Sequence, residues 1–330
     1  MRGLRDEARP GSVFAHMRIT VLCGGLGGSR LVDSLARAAG ADAVTAVGNV
    51  GDDVEILGLH VSPDLDTILY TLANLLDEGR GWGVRDETYG ALGLAGELGG
   101  ETWFTLGDRD IGLHLVRTAL LREGRPLSEV TTRLAASLRV ATHILPATDD
   151  RLRTFVSTPE GELAFQEWFV RRGHRDPVRS VRYEGVESVR PAPGVVEAID
   201  EADLVFLAPS NPFVSLGPIL AVRGIAEALA RRTGPVVAVS PIVGGKALRG
   251  PLAEMLEAQG LEASAVGAAR LVAEQADAFV LDEEDAGLMP EIEELGLRPL
   301  VAPIVMVEPG SREEVGRGLL DVLDREAARR

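Results

Sequence analysis

The fold is decided first by residues 18–29, which read RITVLCGGLGGS. The first six form a short run rich in β-branched side chains, which predicts a strand, and four of the next five are glycine. An apolar pattern at Leu31, Leu35 and Ala38 then follows Ser29 with the spacing of a helix. A strand, a glycine turn and a helix in this order are typical of the first unit of a doubly wound α/β sheet.

The same alternation of strands and helices returns along the chain. We predict further strands at residues 43–47, 203–208 and 236–240, with weaker candidates at 278–281 and 300–307. Helices are predicted from residues 63–67, from the end of residues 103–110 and from about residue 217. The alternation predicts an α/β protein with a Rossmann-like, mostly parallel sheet and helices on both faces.

Two stretches depart from this alternation. Residues 150–190 contain strand-like runs at 152–157 and 163–170, which predict a β-rich insertion. Regular patterning begins at Met17, so we expect residues 1–16 to be a disordered extension or a tag. Residues 17–330 are predicted to be a single α/β domain that carries the insertion.

The composition limits the partners of the chain. The formal net charge is −16 and no dense run of Lys and Arg occurs, which argues against nucleic acid and membrane surfaces as partners. The single cysteine, Cys23, cannot form an internal disulfide, and no apolar run reaches the roughly 18 residues of a membrane helix. The first 16 residues also lack the apolar centre of a signal peptide, so we predict a cytoplasmic protein.

The glycine run after the first strand predicts a phosphate site. Glycine lets the backbone approach an anion closely, and the N-terminus of the following helix favours negative charge. The run is not the dinucleotide fingerprint, because Arg30 stands where a third small residue is needed, and no Gly-Lys-Ser/Thr of a P-loop follows. A tight turn without a ligand is the alternative. The predicted substrate-binding residues here are Gly24, Gly25, Gly27 and Gly28.

Four acidic residues follow the second predicted strand. Carboxylates gathered at strand tips beside a phosphate site are the usual ligands of Mg²⁺, which also keeps phosphate oxygens and water. We therefore predict a magnesium site, with the alternative that Asp64 simply caps the helix that follows it. The predicted metal ligands are Asp52, Asp53, Asp64 and Asp66.

Three further segments are predicted to line the same edge of the sheet, where the carboxyl ends of parallel strands meet. Trp103, Thr105, Asp108 and Asp110 are typical of a pocket for a flat ring, and a core tryptophan with a helix cap is an equal alternative. The other two segments are strand-tip loops, and a cleft formed by such loops is the default ligand site. They contain Ser210, Asn211, Gly244, Gly245 and Lys246.

Seven of these segments, in this order, resemble one family, the 2-phospho-L-lactate transferases of coenzyme F-420 biosynthesis. The resemblance extends from about Met17 to the end of the chain, although no role is assigned to Val54–Ser62. The segments are Gly24–Gly28, Asn49–Asp53, Pro63–Thr67, Trp103–Asp110, Pro146–Asp150, Pro209–Pro212 and Ser240–Gly245.

The resemblance implies a Rossmann-like, Mg²⁺-dependent enzyme that commonly forms a homodimer. Its acceptor would be the deazaflavin Fo, and its donor a guanosine diphosphate ester of lactate or enolpyruvate. The ribityl hydroxyl of Fo would attack the phosphate that bears the three-carbon acid, and GMP would leave to give (dehydro) coenzyme F-420-0.

The resemblance and the residues together suggest roles at the site. Asp53 and Asp66 are the predicted catalytic residues and the first candidates for the metal, and one of the four carboxylates is a candidate to accept the proton of the attacking hydroxyl. Alanine at Asp66 is expected to abolish turnover with folding nearly intact. Arg30, Lys246 and Arg249 are candidates to meet the phosphates or the three-carbon carboxylate. The three-carbon acid, the general base, the number of metal ions and the oligomeric state are left open.

Two other functions are compatible with parts of the sequence. A regulator of the same fold that binds nucleotide sugars without turnover would carry a Gly-Gly-Ser-Ser-Gly run after the paired aspartates. Here Val54, Glu55 and Ile56 follow them instead. A nicotinamide oxidoreductase is suggested only by the first strand, turn and helix, and the incomplete fingerprint counts against it.

Overall fold

The chain alternates strands and helices in the computed structural model, which describes residues 17–247 and 250–327. The strands, in chain order, are β1 (Ile19–Cys23), β2 (Val44–Gly48), β3 (Val54–Ile56), β4 (Leu59–Val61), β5 (His143–Pro146), β6 (Arg153–Thr158), β7 (Gly161–Ala164), β8 (Ser180–Glu184), β9 (Leu204–Leu207), β10 (Val236–Val239), β11 (Ile242–Val243), β12 (Lys246–Ala247), β13 (Ala278–Leu281) and β14 (Arg298–Val301). The predicted extension at residues 1–16, and Arg249, lie outside the described residues.

The helices connect these strands and cover the sheet. They are α1 (Gly25–Ala39), α2 (Pro63–Leu72), α3 (Gly90–Glu97), α4 (Asp108–Arg122), α5 (Leu127–Ser137), α6 (Val195–Asp200), α7 (Gly217–Ala221), α8 (Arg223–Arg231), α9 (Leu252–Ala258), α10 (Ala265–Arg270), α11 (Met289–Glu294) and α12 (Arg312–Ala327). Short 3-10 turns span Ala41–Ala43 and Glu283–Leu288, and short π-helical turns span Glu167–Arg171 and Pro212–Leu216.

Seven parallel strands form the central sheet, in the order β14-β13-β10-β9-β1-β2-β5. Starting from β5, this is the Rossmann order 3-2-1-4-5-6 with one more strand added at the far edge. Every residue of β1, β9, β10 and β13 is buried, as expected for parallel strands covered by helices on both faces. The predicted α/β, Rossmann-like fold is therefore confirmed, and the sheet is wholly parallel.

At the edges of this sheet one strand was not predicted and one prediction was wrong. The edge strand β5 was missed, because it is only four residues long and begins with the exposed His143. The strand predicted at 300–307 ends at Val301. Ile304 and Met306 beyond it are buried, but the amide of Ile304 donates to the Asp282 carboxylate at 3.0 Å, not to a neighbouring strand.

The predicted β-rich insertion contains a three-stranded antiparallel sheet, in the order β7-β6-β8. The predicted strand at 163–170 is shorter than expected, since β7 ends at Ala164 and a π-helical turn follows. A separate apolar cluster around Trp168 and Val156 joins this sheet to Val214 and Met255. The insertion therefore packs against the chain that follows β9. The division into domains stays a prediction.

No single helix in residues 17–247 and 250–327 is long and apolar enough to cross a membrane. The pair Pro212–Ala221 and Arg223–Arg231 passes by length and composition alone, with an 83° bend between its halves. Its apolar side chains, including Ile219, Val222 and Ile225, are buried in the main core.

The packing of α12 on α1 predicts opposite effects for two glycines of α12. A Cβ at Gly316 would lie 2.2 Å from the carbonyl oxygen of Ser34 in α1, whereas a Cβ at Gly318 would meet nothing within 4 Å. We expect Gly316→Ala to lower the free energy of unfolding by about 1–3 kcal/mol, since the helices must separate. Gly318→Ala should leave it unchanged or raise it by up to about 1 kcal/mol. Urea unfolding measures both, and equal stabilities would contradict this packing.

Candidate active site

The candidate site lies where the strand order of the central sheet reverses, between β1 and β9. The chain turns to opposite sides after these two strands, so their tips border a crevice, which is the usual ligand site of such sheets. Ser210, after β9, joins the two strand tips. Its hydroxyl donates to the carbonyl of Gly24 at 2.7 Å and accepts from the Gly24 amide at 3.2 Å.

The glycine run after β1 is the first turn of α1, not a free loop. The helix begins at Gly25, four residues earlier than the apolar pattern indicated. A Cβ at Gly24 would lie 2.4 Å from Asp64 Oδ2, and one at Gly27 would lie 2.5 Å from the carbonyl oxygen of Pro209. These glycines are therefore required by close packing within the protein, whether or not a ligand also approaches them.

Asp64 caps α1 across the crevice. Its Oδ1 accepts from the Gly25 amide at 2.7 Å and its Oδ2 accepts from Asn49 Nδ2 at 2.9 Å. Asp64 does not cap its own helix, which was the alternative prediction, because the N-cap of α2 is Ser62. A carboxylate is favoured at a helix N-terminus, so Asp64 occupies part of the positive end of α1.

Three buried carboxylates, those of Asp52, Asp53 and Asp64, face one another beside this helix end. Burial raises the pKa of Asp64 to about 6, with the charges of Asp53 and Asp66 adding to the rise. Burial, followed by the charge of Asp64, also raises the pKa of Asp52 well above its ordinary value. Burial and mutual repulsion therefore disfavour the charged forms of Asp52 and Asp64 when no cation is bound.

One oxygen of Asp53 is fully engaged and the other is free. Oδ2 accepts from Ser62 Oγ at 3.0 Å and lies 2.9 Å from His60 Nε2. Oδ1, like Oδ1 of Asp52, is buried and has no hydrogen-bond partner within the described residues. Unpartnered buried carboxylate oxygens are costly unless a cation meets them.

The Asp52 and Asp53 carboxylates fit a divalent cation of the magnesium kind, which takes one or two carboxylates plus phosphate oxygens and water. Nowhere in residues 17–247 and 250–327 are three or more His, Cys, Asp or Glu side chains arranged as a complete metal site. The remaining ligands would have to come from substrate and water.

Asp66 is turned away from these free oxygens. It forms a two-point ion pair with Arg117 of α4, with Arg117 Nη1 to Asp66 Oδ2 at 3.0 Å and Nη2 to Oδ1. The structure also changes the expectation for alanine at Asp66. Because that substitution would leave a buried guanidinium without its partner, it should cost about 3–5 kcal/mol of stability, and folding would not stay nearly intact.

The acids predicted for a ring pocket make structural hydrogen bonds, and their ligand role stays a prediction. The Asp108 carboxylate accepts from Thr88 Oγ1 at 2.6 Å and from the amide of Ala91 at 2.9 Å, so it caps α3. Asp110 is buried and accepts from the hydroxyl of Tyr70 at 2.5 Å. Asp108 is therefore a helix cap, which was the alternative prediction for this segment, although the helix that it caps is α3.

Trp103 and Thr105 are the members of this segment that face outward. Thr105 is exposed, and Trp103 is half-buried against an apolar cluster that includes Val61. The guanidinium of Arg171, from the insertion, lies 5.9 Å from the Trp103 ring, and Glu101 accepts from its indole N–H at 3.2 Å. The insertion and the tryptophan segment therefore meet at this point.

The other predicted ligand residues are placed as follows. Arg30 donates to Glu78 at 2.8 Å, and Asn211 Oδ1 accepts from the amide of Phe213 at 2.9 Å. Gly244 and Gly245 form the two-residue turn of the β11–β12 hairpin, with positive φ at both, and Lys246 beyond the turn is exposed.

Sequence reasoning missed three residues that hold the carboxylates in place. His60 and Ser62 lie in the segment to which no role was assigned. Arg117 was missed because the predicted apolar face of α4 contained Val116, together with Leu113 and Leu120. Val116 is 46% exposed and Arg117 is 0% exposed, so an arginine occupies the buried position. The available signal was the position of this arginine four residues after Leu113, which places both side chains on the same side of the helix.

The raised pKa of Asp64 predicts how stability depends on pH. In metal-free protein, the free energy of unfolding should fall as pH rises from about 4 to about 6, because the folded state binds this proton more tightly than the unfolded chain. Asp64→Asn should reduce that fall, and Asp52 would account for part of the remainder. Urea unfolding with a chelator across this pH range measures it, and identical profiles for the two proteins would contradict the assignment.

Comparison with known proteins places the chain in a family. The family model described as 2-phospho-L-lactate transferase CofD matches residues 19–299. A Streptomyces griseus protein named phosphoenolpyruvate transferase is 41% identical over 314 residues, which cover 93% of this chain and 99% of that protein. A Mycolicibacterium smegmatis protein of the same name is 40% identical over 324 residues, with 93% and 98% covered.

The solved structures agree on the fold. A UPF0052-family protein of Bacillus halodurans superposes with a TM-score of 0.61 at 15% identity, covering 92% of this chain and 98% of that one. At this identity the likeness extends to the fold alone. On the family model and the relatives together, this chain belongs to the 2-phospho-L-lactate transferase CofD family.

Proposed function

We propose that this transferase moves a phosphoenolpyruvyl group from a guanosine diphosphate donor to the deazaflavin Fo. The terminal ribityl oxygen of Fo would bond to the phosphorus that bears the three-carbon acid. The bond from that phosphorus to the oxygen of the GMP phosphate would break. The hydroxyl proton would leave to a base or to water, and the products would be GMP and dehydro coenzyme F-420-0.

The observation that supports this function best is the buried Asp52–Asp53 pair at the crevice, with an oxygen of each lacking a partner among the described residues. Transfer of a substituted phosphate between two oxygens needs positioning and compensation of charge more than covalent help from the protein. The names of the relatives favour enolpyruvate over lactate as the three-carbon group, since they are called phosphoenolpyruvate transferases.

Mg²⁺ is proposed to bind at Asp52 and Asp53, with Asp64 beside them. When bound, it would neutralise charge on the transferring phosphate. Of the chain's own groups, Asp53 would be held in its orientation by Ser62 and His60. Asp66, which pairs with Arg117, would support the site from behind and would not bind the metal directly.

The donor and acceptor are proposed to lie on either side of this pair. The first turn of α1 leaves four amides without intrahelical partners, and Ser210 and Asp64 meet those of Gly24 and Gly25. The amides of Leu26 and Gly27 would then face the diphosphate. The Asn211 and Gly244–Gly245 loops and Lys246 would border the guanosine side, and Trp103 and Thr105 the deazaflavin side. We also propose that the enzyme works in the cytoplasm as a homodimer, as the resemblance implies.

The test is a product assay by mass spectrometry. Purified protein is mixed with Fo and either the lactyl or the enolpyruvyl diphosphoguanosine, with Mg²⁺ or with a chelator. We expect GMP and the Fo phosphodiester only with metal, and more product from the enolpyruvyl donor. No product in any mixture with folded protein would reject the proposal, and a preference for the lactyl donor would correct the three-carbon group.

Asp53→Asn tests the role of the acidic pair. We expect it to lower turnover by about 100-fold or more while the protein stays folded, because it removes a negative ligand from the charge-compensating site. Asp42→Asn, at an exposed position before β2, is the matched control and should keep full activity. Equal turnover in the two variants would remove Asp53 from the site.

A further inference from the structure

Helix α4 contacts the segment behind the acidic cluster through two consecutive residues. Arg117 pairs with Asp66, and Thr118 Oγ1 accepts from the backbone amide of His60 at 2.8 Å. Both Arg117 and Thr118 are buried. The helix therefore holds the chain at His60 and at Asp66, on either side of Ser62.

The contacts of Asp66 extend this hold to the N-cap of α2. Asp66 Oδ2 accepts from the backbone amide of Ser62 at 3.2 Å, and the Asp66 amide donates to the Ser62 carbonyl at 2.9 Å. The second of these is the first i→i−4 bond of α2, and the first satisfies the amide of its N-cap residue, so together they fix the backbone where the helix begins. The side chain of Ser62, fixed in this way, donates to Asp53 Oδ2.

Both routes from α4 end on the same atom. Arg117 reaches Asp53 Oδ2 through Asp66 and Ser62, and Thr118 reaches it through His60. With Oδ2 held from two sides, the Asp53 carboxylate cannot rotate freely. Its Oδ1 is the oxygen left without a partner in the described parts of the chain.

Stability alone does not account for the Arg117–Asp66 pair. Removing two charges from water costs about as much as their attraction returns, so a buried pair adds little net stability over apolar side chains of similar volume. What such a pair does provide is a fixed geometry, because the planar guanidinium binds a carboxylate at two points.

We propose that Arg117 is a positioning residue for the transfer reaction, acting through Asp66 and Ser62 to fix the orientation of the Asp53 carboxylate and so the place of its unpartnered Oδ1. It touches neither substrate nor the reacting atoms. A lysine at this position would keep the charge but lose the two-point contact with Asp66. The backbone at Ser62 would then be held less firmly, and Asp53 would occupy the productive orientation for less of the time.

The test compares Arg117→Lys with Arg312→Lys. Arg312 is an equally buried arginine, which bonds Asp33 at 3.1 Å and Glu78 at 2.5 Å and ties α12 to α1. It controls for the general cost of replacing a buried arginine. We expect Arg117→Lys to lower kcat by about tenfold or more with the KM for the donor little changed, and Arg312→Lys to keep both.

A second measurement does not depend on the proposed function. Hydrogen exchange of the His60 and Ser62 amides in substrate-free protein should be faster by about tenfold in Arg117→Lys and unchanged in Arg312→Lys. If wild-type protein makes no product, the proposed function fails while this measurement still decides whether Arg117 holds the segment. Unchanged exchange would then overturn the inference.

The remaining outcomes are also decisive. A folded Arg117→Lys protein with wild-type kcat would overturn the proposal, as would an equal loss of kcat in Arg312→Lys. If Arg117→Lys does not fold, Thr118→Val takes its place. That variant removes only the hydroxyl that accepts from the His60 amide, and it should lower kcat and speed exchange in the same direction. A folded Thr118→Val protein with wild-type values would then overturn the two-point hold.

Discussion

The carboxylate of Asp64 joins the segments on which the rest of the site depends. It lies on α2, accepts from the first amide of α1 and accepts from Asn49 after β2. The strands β1 and β2 are neighbours in the sheet, so this one buried group fixes how their tips and the following helices meet. The attraction of an acid to a helix N-terminus favours that arrangement. The same acid also faces Asp52 and Asp53, which opposes it.

This conflict of charges limits what can bind there. The chain as a whole has a net charge of −16, and three buried acids, Asp52, Asp53 and Asp64, gather at the site, where the half-buried Arg153 interacts with Asp53 and Asp52. A phosphorylated ligand would be repelled unless positive charge is added locally. Arg117 supplies positive charge to Asp66. At Asp53, side chains of the protein bind Oδ2 but not Oδ1 among the described residues. Among the described residues, Oδ1 of Asp52 and Oδ1 of Asp53 are buried without a hydrogen-bond partner. A cation bound there, as proposed, would reconcile an acidic protein with an anionic substrate.

The sequence predicted the fold more completely than the site. Strands such as β1, β9 and β10 are buried on both faces, so their apolar runs are continuous and easily recognised. The edge strand β5 lacks that signal, and the residues beyond β14 alternate correctly but bond to a side chain, Asp282, which no local pattern reveals.

At the site, the positions of the acids followed from strand tips, but their partners did not. Asp53 and Asp66 look alike in sequence, and the structure separates them because a buried arginine 51 residues further along pairs with Asp66. The ligand roles assigned to the predicted residues, including Mg²⁺ at the acids, stay predictions. Asp108 shows why residue type alone is insufficient, since the same carboxylate that suits a ligand also caps α3.

Two buried arginines show the difference between holding the fold and shaping the site. Arg312 bonds Asp33 and Glu78, and Arg30 bonds the same Glu78, so these charges tie α1 to α12 and have no contact with the acidic cluster. Arg117 forms a similar pair, yet the other bond of its acid reaches the Ser62 amide and, through Ser62, Asp53. Neither ion pair is expected to add much net stability, so the two differ in what else their carboxylates bind. The acids paired with Arg312 connect α12 to α1. The acid paired with Arg117 binds Ser62, which in turn donates to the Asp53 oxygen that sets the orientation of this catalytic candidate.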